Sequence, residues 1–529
     1  MSFRNRYGIL LEKRPSGAKR AKNYNAIWEI PVGGNMHKNH CAAHCNCNSN
    51  ISRRLFIQYS TAGLIGTSIL SGCSSSQNQG PVAGEKVRQY GPAASYKPLI
   101  NAAFVRRKGE YGMWWPGAVY DGQAAKAKYT KDMRNTADSI GAKLDLRQDP
   151  IFNIEQAKEW LGQAKQQNAD GLFLILLDRQ QHSWPTAHLA SDSGIPLVIF
   201  SPLGSSFTIN TIKLADKPGC VIYCTVGEFD QPAYGMKMLA AGARIRKTRC
   251  VVLKGSRRKT QTLPNLGIEL QYIPAQTFLA DYQQMGTPDD VIAMADNYMS
   301  LARRQSGATR DDVINGIKSY QVAKNILKQE KADAITMDCL GALAKSKISL
   351  PCIAWSRMND DGIPAACEAD HGAVAAHILV QYLFNRPGFQ QDPVADTTCN
   401  AVIGAHCSCP TRLNGFDKPS EPFDLIHHHG NRDAVPRTIW KPGQRITCLD
   451  VIEGNSTGRP TELLISAGTV IDNINVPPAG GCVVSVRAKF DGGQDVLSFP
   501  GFHQLFFYGD YAKELKDFCH LYNLKATVV

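Results

Sequence analysis

From residue 99 onward the chain alternates short runs of consecutive apolar residues with longer stretches of helical period. Residues 99–105 ("LINAAFV") read as a buried strand, 122–140 as a helix and 142–146 as a short strand. Residues 154–167 read as a helix, and 171–177 and 195–201 as two further buried strands. Short apolar runs separated by helices point to a parallel sheet covered on both faces, because parallel strands need a crossover to connect them. The theme repeats. Residues 220–226 and 250–255 read as strands, about 288–328 as one long helical stretch, and 334–340 and 350–356 as strands. Residues 371–384 read as a helix stopped by Asn385-Arg386-Pro387-Gly388, and 400–407 as a strand. After about 410 the texture changes to strand-type runs broken by Gly and Pro, at 445–452, 461–471, 482–490 and 504–509, with a closing helix over 511–521. Such runs predict an antiparallel β region.

The fold class expected is therefore α/β: two doubly wound, Rossmann-like α/β domains, over 96–215 and 216–409, followed by an antiparallel β domain over 410–529. A chain of 529 residues exceeds what one ordinary core holds, which agrees with several domains. No glycine-rich phosphate-binding motif follows any of the strands, so nothing supports nucleotide binding.

The N-terminal part has a different character. Ser52-Arg53-Arg54-Leu55-Phe56-Ile57 fits a twin-arginine signal. The apolar stretch 57–70 is too short to span a bilayer but suits a signal core. Leu70-Ser71-Gly72-Cys73 fits a lipoprotein cleavage box, with Cys73 as the lipidated residue. Residues 1–73 are thus expected to form a signal and extension, and 74–95 a tether. The protein is expected to be exported and to touch the membrane only through its lipid. Met36 is an alternative start. The cluster His37, His40, Cys41, His44, Cys45 and Cys47 has metal-ligand composition, but cleavage at Cys73 would remove it.

Charge adds less than it first suggests. The formal charge of +13 is concentrated in residues 1–73, which hold 10 Lys/Arg against 2 Asp/Glu. The remainder holds 49 against 44 with no basic block, which argues against a nucleic-acid partner. Twelve of the 16 cysteines lie between Cys220 and Cys519 without regular spacing. They read as buried free thiols, not as a disulfide framework.

Candidate chemistry gathers in four places. Glu368 and Asp370 lie between a strand and the helix from 371. Asp392 and Asp396 lie in a predicted loop before strand 400–407. His406 ends that strand, and His503 sits in a predicted strand close to the C-terminus. Each has a plain structural reading: helix-capping acids, turn aspartates, core histidines. Together they have the composition of a mixed nitrogen–oxygen site for a divalent cation.

Three segments carry a family resemblance. "PAACEADHGAVAAHIL" resembles the Glu-x-Asp loop and following helix of the L-fucose isomerase and L-arabinose isomerase superfamily. "RPGFQQDPVADTTCNAVIGAHC" resembles its next segment, and "GFHQLFFYGDYAKELKDFCHLYNLK" its C-terminal segment. The resemblance covers roughly 96–529 and is specific over 364–410 and 500–525, as in a divergent branch. It implies a metal-dependent aldose–ketose isomerase acting on a monosaccharide, with Mn²⁺ as cofactor and a trimeric or hexameric assembly. It implies Glu368, Asp370, His406 and His503 as metal ligands and Glu368 as a carboxylate base. The second acid/base carboxylate departs from the family pattern and falls to Asp392 or Asp396, with Asp338 the nearest acid upstream of the loop. Trp114, Trp115 and His427–His429, His429 among them, are candidate sugar contacts. An exported sugar-binding lipoprotein and an inactive isomerase-fold protein are the alternatives.

Overall fold

A computed structural model of the protein describes residues 90–108, 121–178, 183–202, 205–343, 348–428, 432–455, 458–474 and 484–529. The expected signal, Cys73, the His/Cys cluster at 37–47, Trp114, Trp115 and His429 lie outside the described residues.

The first sheet has five parallel strands in the spatial order Lys143–Leu146, Leu99–Val105, Gly171–Leu176, Leu197–Pro202 and Cys220–Thr225. In chain order this is 2-1-3-4-5, so the connections run outward in both directions from the first strand. The pleat sends alternate residues to opposite faces. Ile100, Ala102 and Phe104 meet the helix Gly122–Ser139 through Ala125, Tyr129, Met133 and Ala137, a stripe at every fourth residue. Ala103 and Val105 face the helix Ile154–Gln166 through Ala157, Trp160, Leu161 and Ala164. The first of these helices starts at Asp121, whose carboxylate accepts the amide hydrogens of Gln123 and Ala124.

The second sheet runs Ala365–Cys367, Ala334–Met337, Arg249–Leu253, Glu269–Ile273 and Lys259–Thr262. Its first four strands are parallel and the last is an antiparallel edge. Val251 and Leu253 pack toward the helix Arg310–Glu330, while Cys250 and Val252 pack toward the helix His371–Phe384. The third layer is a closed antiparallel barrel of six strands: Arg445–Ile452, Gln504–Tyr508, Phe389–Asp396, Ala401–His406, Val484–Phe490 and Glu462–Asn473. The last pairs back onto the first. Closure removes sheet edges that would otherwise invite pairing with another chain. Phe389, Val402, Trp440, Ile446, Val486 and Phe506 fill its interior. Among the described residues no helix is long and apolar enough to cross a membrane.

Several expectations need correction. The strand Cys220–Thr225 completes the first sheet, although it was expected in the second α/β domain. Phe389–Asp396 and Ala401–His406 likewise belong to the barrel and not to the domain before it. The predicted helical stretch 288–328 is two helices, Asp289–Leu301 and Arg310–Glu330. The strand Arg304–Ser306 lies between them, and a capping box of Thr309 and Asp312 starts the second helix. The predicted strand 350–356 is the start of the helix Cys352–Asp360. That helix is buried on almost every side, so its first residues form an apolar run without a period, and short runs of this kind do not separate helix from strand. Asp392 and Asp396 lie in a strand, not a loop. Pro393 disguises it. Residues 389–391 pair with Gln504–Tyr508 and residues 392–396 with Ala401–His406, so Pro393 has a neighbour on one side only.

The helix His371–Phe384 joins the second sheet to the barrel. A Cβ at Gly372 would overlap the carbonyl oxygen of Val451 on the barrel strand. Gly162, in the exposed part of its helix, has no atom near a built Cβ. Gly372→Ala is therefore expected to cost about 1–3 kcal/mol through overpacking, whereas Gly162→Ala should gain about 0.5–1 kcal/mol through helix propensity. Urea denaturation midpoints of the two variants check the opposite signs.

Candidate metal centre

The site forms where the second sheet meets one end of the barrel. The strand Ala365–Cys367 delivers Glu368 and Asp370 at its C-terminal end, the edge where open parallel sheets present ligand-binding loops. Three interactions hold this loop. The Cys367 amide donates to Gln390 Oε1 at 2.8 Å, the Ala369 amide to the Met337 carbonyl at 2.8 Å, and the Ala373 amide to Asp370 Oδ1 at 2.7 Å. Asp370 is thereby the N-cap of the helix His371–Phe384. Glu368 and Ala369 adopt positive φ values of 64° and 52°. For residues with a side chain this backbone is strained, and it persists where surrounding bonds over-determine it.

The barrel supplies the other groups. Gln391 pairs with Gln504 and Asp392 with Ala405 on consecutive positions of one strand. This register sets Asp392 beside His503, which precedes its strand at φ 54°. The turn before His503 is fixed by Asp450, whose carboxylate accepts the Phe502 amide at 3.2 Å. Burial pushes the Asp450 carboxyl up to about 6.

The geometry centres on the His503 ring. Its Nδ1 lies 3.0 Å from Asp370 Oδ2. Its Nε2 lies 3.3 Å from Asp392 Oδ1 and 3.5 Å from Glu368 Oε2. His406 Nε2 lies 3.8 Å from Glu368 Oε1, and the two imidazole rings meet edge to face at 5.8 Å. Glu368, His406 and His503 each offer one ligand atom, and the three atoms lie within 4.8 Å of one another. The side chains of Glu368 and Asp392 are 34% and 30% exposed, those of His503 and His406 only 6% and 3%. The carboxylates thus form a lip over a floor of imidazole.

The donor set fits a divalent cation. His503 Nε2 and Asp392 Oδ1 are buried and have no hydrogen-bond partner, although they face each other. A buried polar atom without a partner is costly. A cation among Glu368, Asp392, His406 and His503 would satisfy both atoms with oxygen and imidazole donors of the kind that suits Mn²⁺. Asp370 takes a different part from the direct ligand expected. It sits on the opposite ring nitrogen, Nδ1, while Nε2 faces Glu368 and Asp392. This is the position of the carboxylate that orients a metal-binding histidine.

The remaining predicted residues are placed apart or outside. Asp396 is not in the site. It ends its strand, pairs with Arg487 at 2.8 Å and accepts the Thr398 amide, and these bonds hold its carboxyl down at about 2. Asp338 caps the turn at Gly341, and its charge helps to raise Glu368. His427 pairs with Asp312 at 3.5 Å. Sequence reasoning missed Gln390 and Asp450, which hold the two ligand-bearing turns. Asp450 left a signal, a carboxylate inside the apolar half of the strand-type run "RITCLDVI". Gln390 left none. Comparison of the chain with protein-family models and with curated proteins finds no match.

Burial raises the Glu368 carboxyl, and the neighbouring Asp392 and Asp370 charges add to it against His503. Asp392 is raised by burial against the same opposition. Burial also acts on Asp370, but the His503 hydrogen bond and the Ala373 amide outweigh it and hold that carboxyl low. For His503 burial disfavours the charged ring, yet Asp370, Asp392 and Glu368 outweigh it and raise its pKa.

The signs follow by linkage. Without a cation, the His503 contribution to stability is complete below the ordinary histidine value and is lost as pH rises through the raised one. The Asp370 contribution is complete above the ordinary aspartate value and is lost as pH falls through the lowered one. Protons also compete with a cation for His503. Mn²⁺ affinity is therefore expected to fall as pH drops through the raised His503 value. Asp370→Asn should move that onset to lower pH while weakening binding about 10–100-fold at neutral pH. Calorimetric titrations across pH check both effects.

Proposed function

We propose that the protein is a metal-dependent sugar isomerase that interconverts an aldose and a ketose, resembling the L-fucose and L-arabinose isomerases. The observation that carries this reading is the meeting of Glu368, Asp392, His406 and His503 around one buried imidazole nitrogen. Two doubly wound α/β domains and a β domain, the architecture the resemblance implies, agree with the parallel sheets and the closed barrel. Export by the twin-arginine route, lipidation at Cys73 and a trimer or hexamer belong to the same proposal.

A divalent cation bound there supplies positive charge to the neighbouring oxygens of an α-hydroxy carbonyl. The protein's own groups then move the protons. Glu368 and Asp392 face the same ring nitrogen from two sides, and burial raises both carboxyls. Raised carboxyls let one of the pair be ionised while the other holds a proton. The ionised group takes the proton from C2 of the aldose as the carbonyl oxygen gains one, which gives a cis-enediol. A proton returned to C1, with loss of the proton on O2, completes the ketose. Asp370 keeps His503 in one tautomer and orientation throughout. Asp396 takes no part in this scheme.

The test is aldose–ketose exchange in heavy water, with candidate sugars and Mn²⁺. Solvent deuterium should enter at C1 or C2. Glu368→Gln and Asp392→Asn should each lower turnover about 10²–10⁴-fold, the range for loss of a general acid or base. Asp396→Asn should leave turnover within about twofold, because Asp396 pairs with Arg487 and not with the groups of the site. Sugar binding without any exchange would favour the binding-lipoprotein reading. Exchange that survives Glu368→Gln would reject the proton-transfer roles of the two carboxylates.

A further inference from the structure

We propose that Cys352, Cys407 and His428 form a second metal site, buried and sulfur-rich, for a thiophilic cation of the Zn²⁺ type. The Sγ atoms of Cys352 and Cys407 lie 3.5 Å apart. With a ring nitrogen of His428, the three ligand atoms lie within 4.8 Å of one another. Two thiolates sharing one zinc ion, each at about 2.3 Å, stand about 3.8 Å apart in tetrahedral geometry. The separation observed is close to that. A disulfide would need about 2.05 Å.

The three residues come from separate segments. Cys352 opens the helix Cys352–Asp360, Cys407 follows the strand Ala401–His406, and His428 ends the strand Phe423–His428. All are buried, at 3%, 9% and 6% exposure. Core cysteines commonly pack their sulfur against hydrocarbon, as small apolar side chains do. In this cluster sulfur meets sulfur, and the cluster extends further. Cys367, His406 and Cys407 form a second trio within 4.8 Å, and Cys367 Sγ lies 3.2 Å from Ser408 Oγ. Cys407 is common to both trios, with Sγ 3.6 Å from His406 Nδ1. The sulfur cluster therefore shares a wall with the carboxylate site, where the other nitrogen of His406 faces Glu368.

The two sites differ in the ion they suit. Thiolate and imidazole donors select zinc-like cations, whereas carboxylate-rich sets favour manganese or magnesium.

The experiment uses the full chain, reduced and stripped of metal, with Co²⁺ as a spectroscopic probe. Thiolate-to-cobalt charge-transfer absorption is expected, displaced by Zn²⁺ and retained in excess Mn²⁺. Cys352→Ala and His428→Gln should each weaken this binding by at least about tenfold, as loss of a ligand does, while Mn²⁺ binding at the carboxylate site persists. X-ray absorption on the zinc-loaded unmodified protein reads the same site without any variant, and should show sulfur at about 2.3 Å. A zinc shell of nitrogen and oxygen only would overturn the proposal. So would a Co²⁺ affinity, read from the charge-transfer absorption, that is unchanged in Cys352→Ala, or a Cys352–Cys407 disulfide that forms in the zinc-loaded protein.

Discussion

The His503 ring lies between two sets of carboxylates, and each of its nitrogens faces one of them. Asp370 holds Nδ1, while Glu368 and Asp392 stand before Nε2. Asp370 also caps the helix His371–Phe384, which packs between the second sheet and the barrel. One carboxylate thus ties the backbone of the α/β layer to the orientation of a barrel side chain. The ligand geometry depends on this tie, because the two halves of the site are 133 residues apart in the chain. The close approach of Gly372 to Val451 lets helix and barrel come near enough for it to form. The positive φ values at Glu368, Ala369 and His503 lie on both sides of the same contact. Strain of that kind is held by the bonds around it, from Gln390 and Ala373 on one side and Asp450 on the other.

Much of the α/β part was legible in the sequence. Leu99–Val105 and His371–Phe384 occur where the hydrophobic pattern puts them, because a fully buried parallel strand and a long, well-stopped helix leave strong periodic signals. The helix Cys352–Asp360 was not legible, since burial on nearly all sides erased its period. The strand Phe389–Asp396 was masked by its proline and aspartates. What hid it was its change of partner at Asp392, a fact of tertiary pairing that no local pattern carries. The segments contributing to the site were legible as chemistry: Glu368, Asp370, Asp392, His406 and His503 do come together. Their roles were not. Whether Asp370 meets a cation or the far side of a ring depends on which nitrogen the barrel turns toward it, and that is set by register and by the turn at Phe502.

The same junction gathers sulfur as well as oxygen. Cys367 precedes Glu368 and Cys407 follows His406, so neighbouring residues on the same two segments point hard and soft donors to different places. The two ring nitrogens of His406 stand between them, Nε2 toward Glu368 and Nδ1 toward Cys407, so the carboxylate–imidazole group and the thiol cluster share His406 as a common wall.

We propose that His503 Nε2 and His406 meet one cation with Glu368 and Asp392. It is tested most directly by pulsed electron paramagnetic resonance of Mn²⁺ bound to protein labelled with ¹⁵N-histidine. Nitrogen couplings from two histidines are expected, one of which disappears in His503→Gln. Mn²⁺ that binds with no histidine coupling, or with couplings untouched by His503→Gln, would contradict the claim.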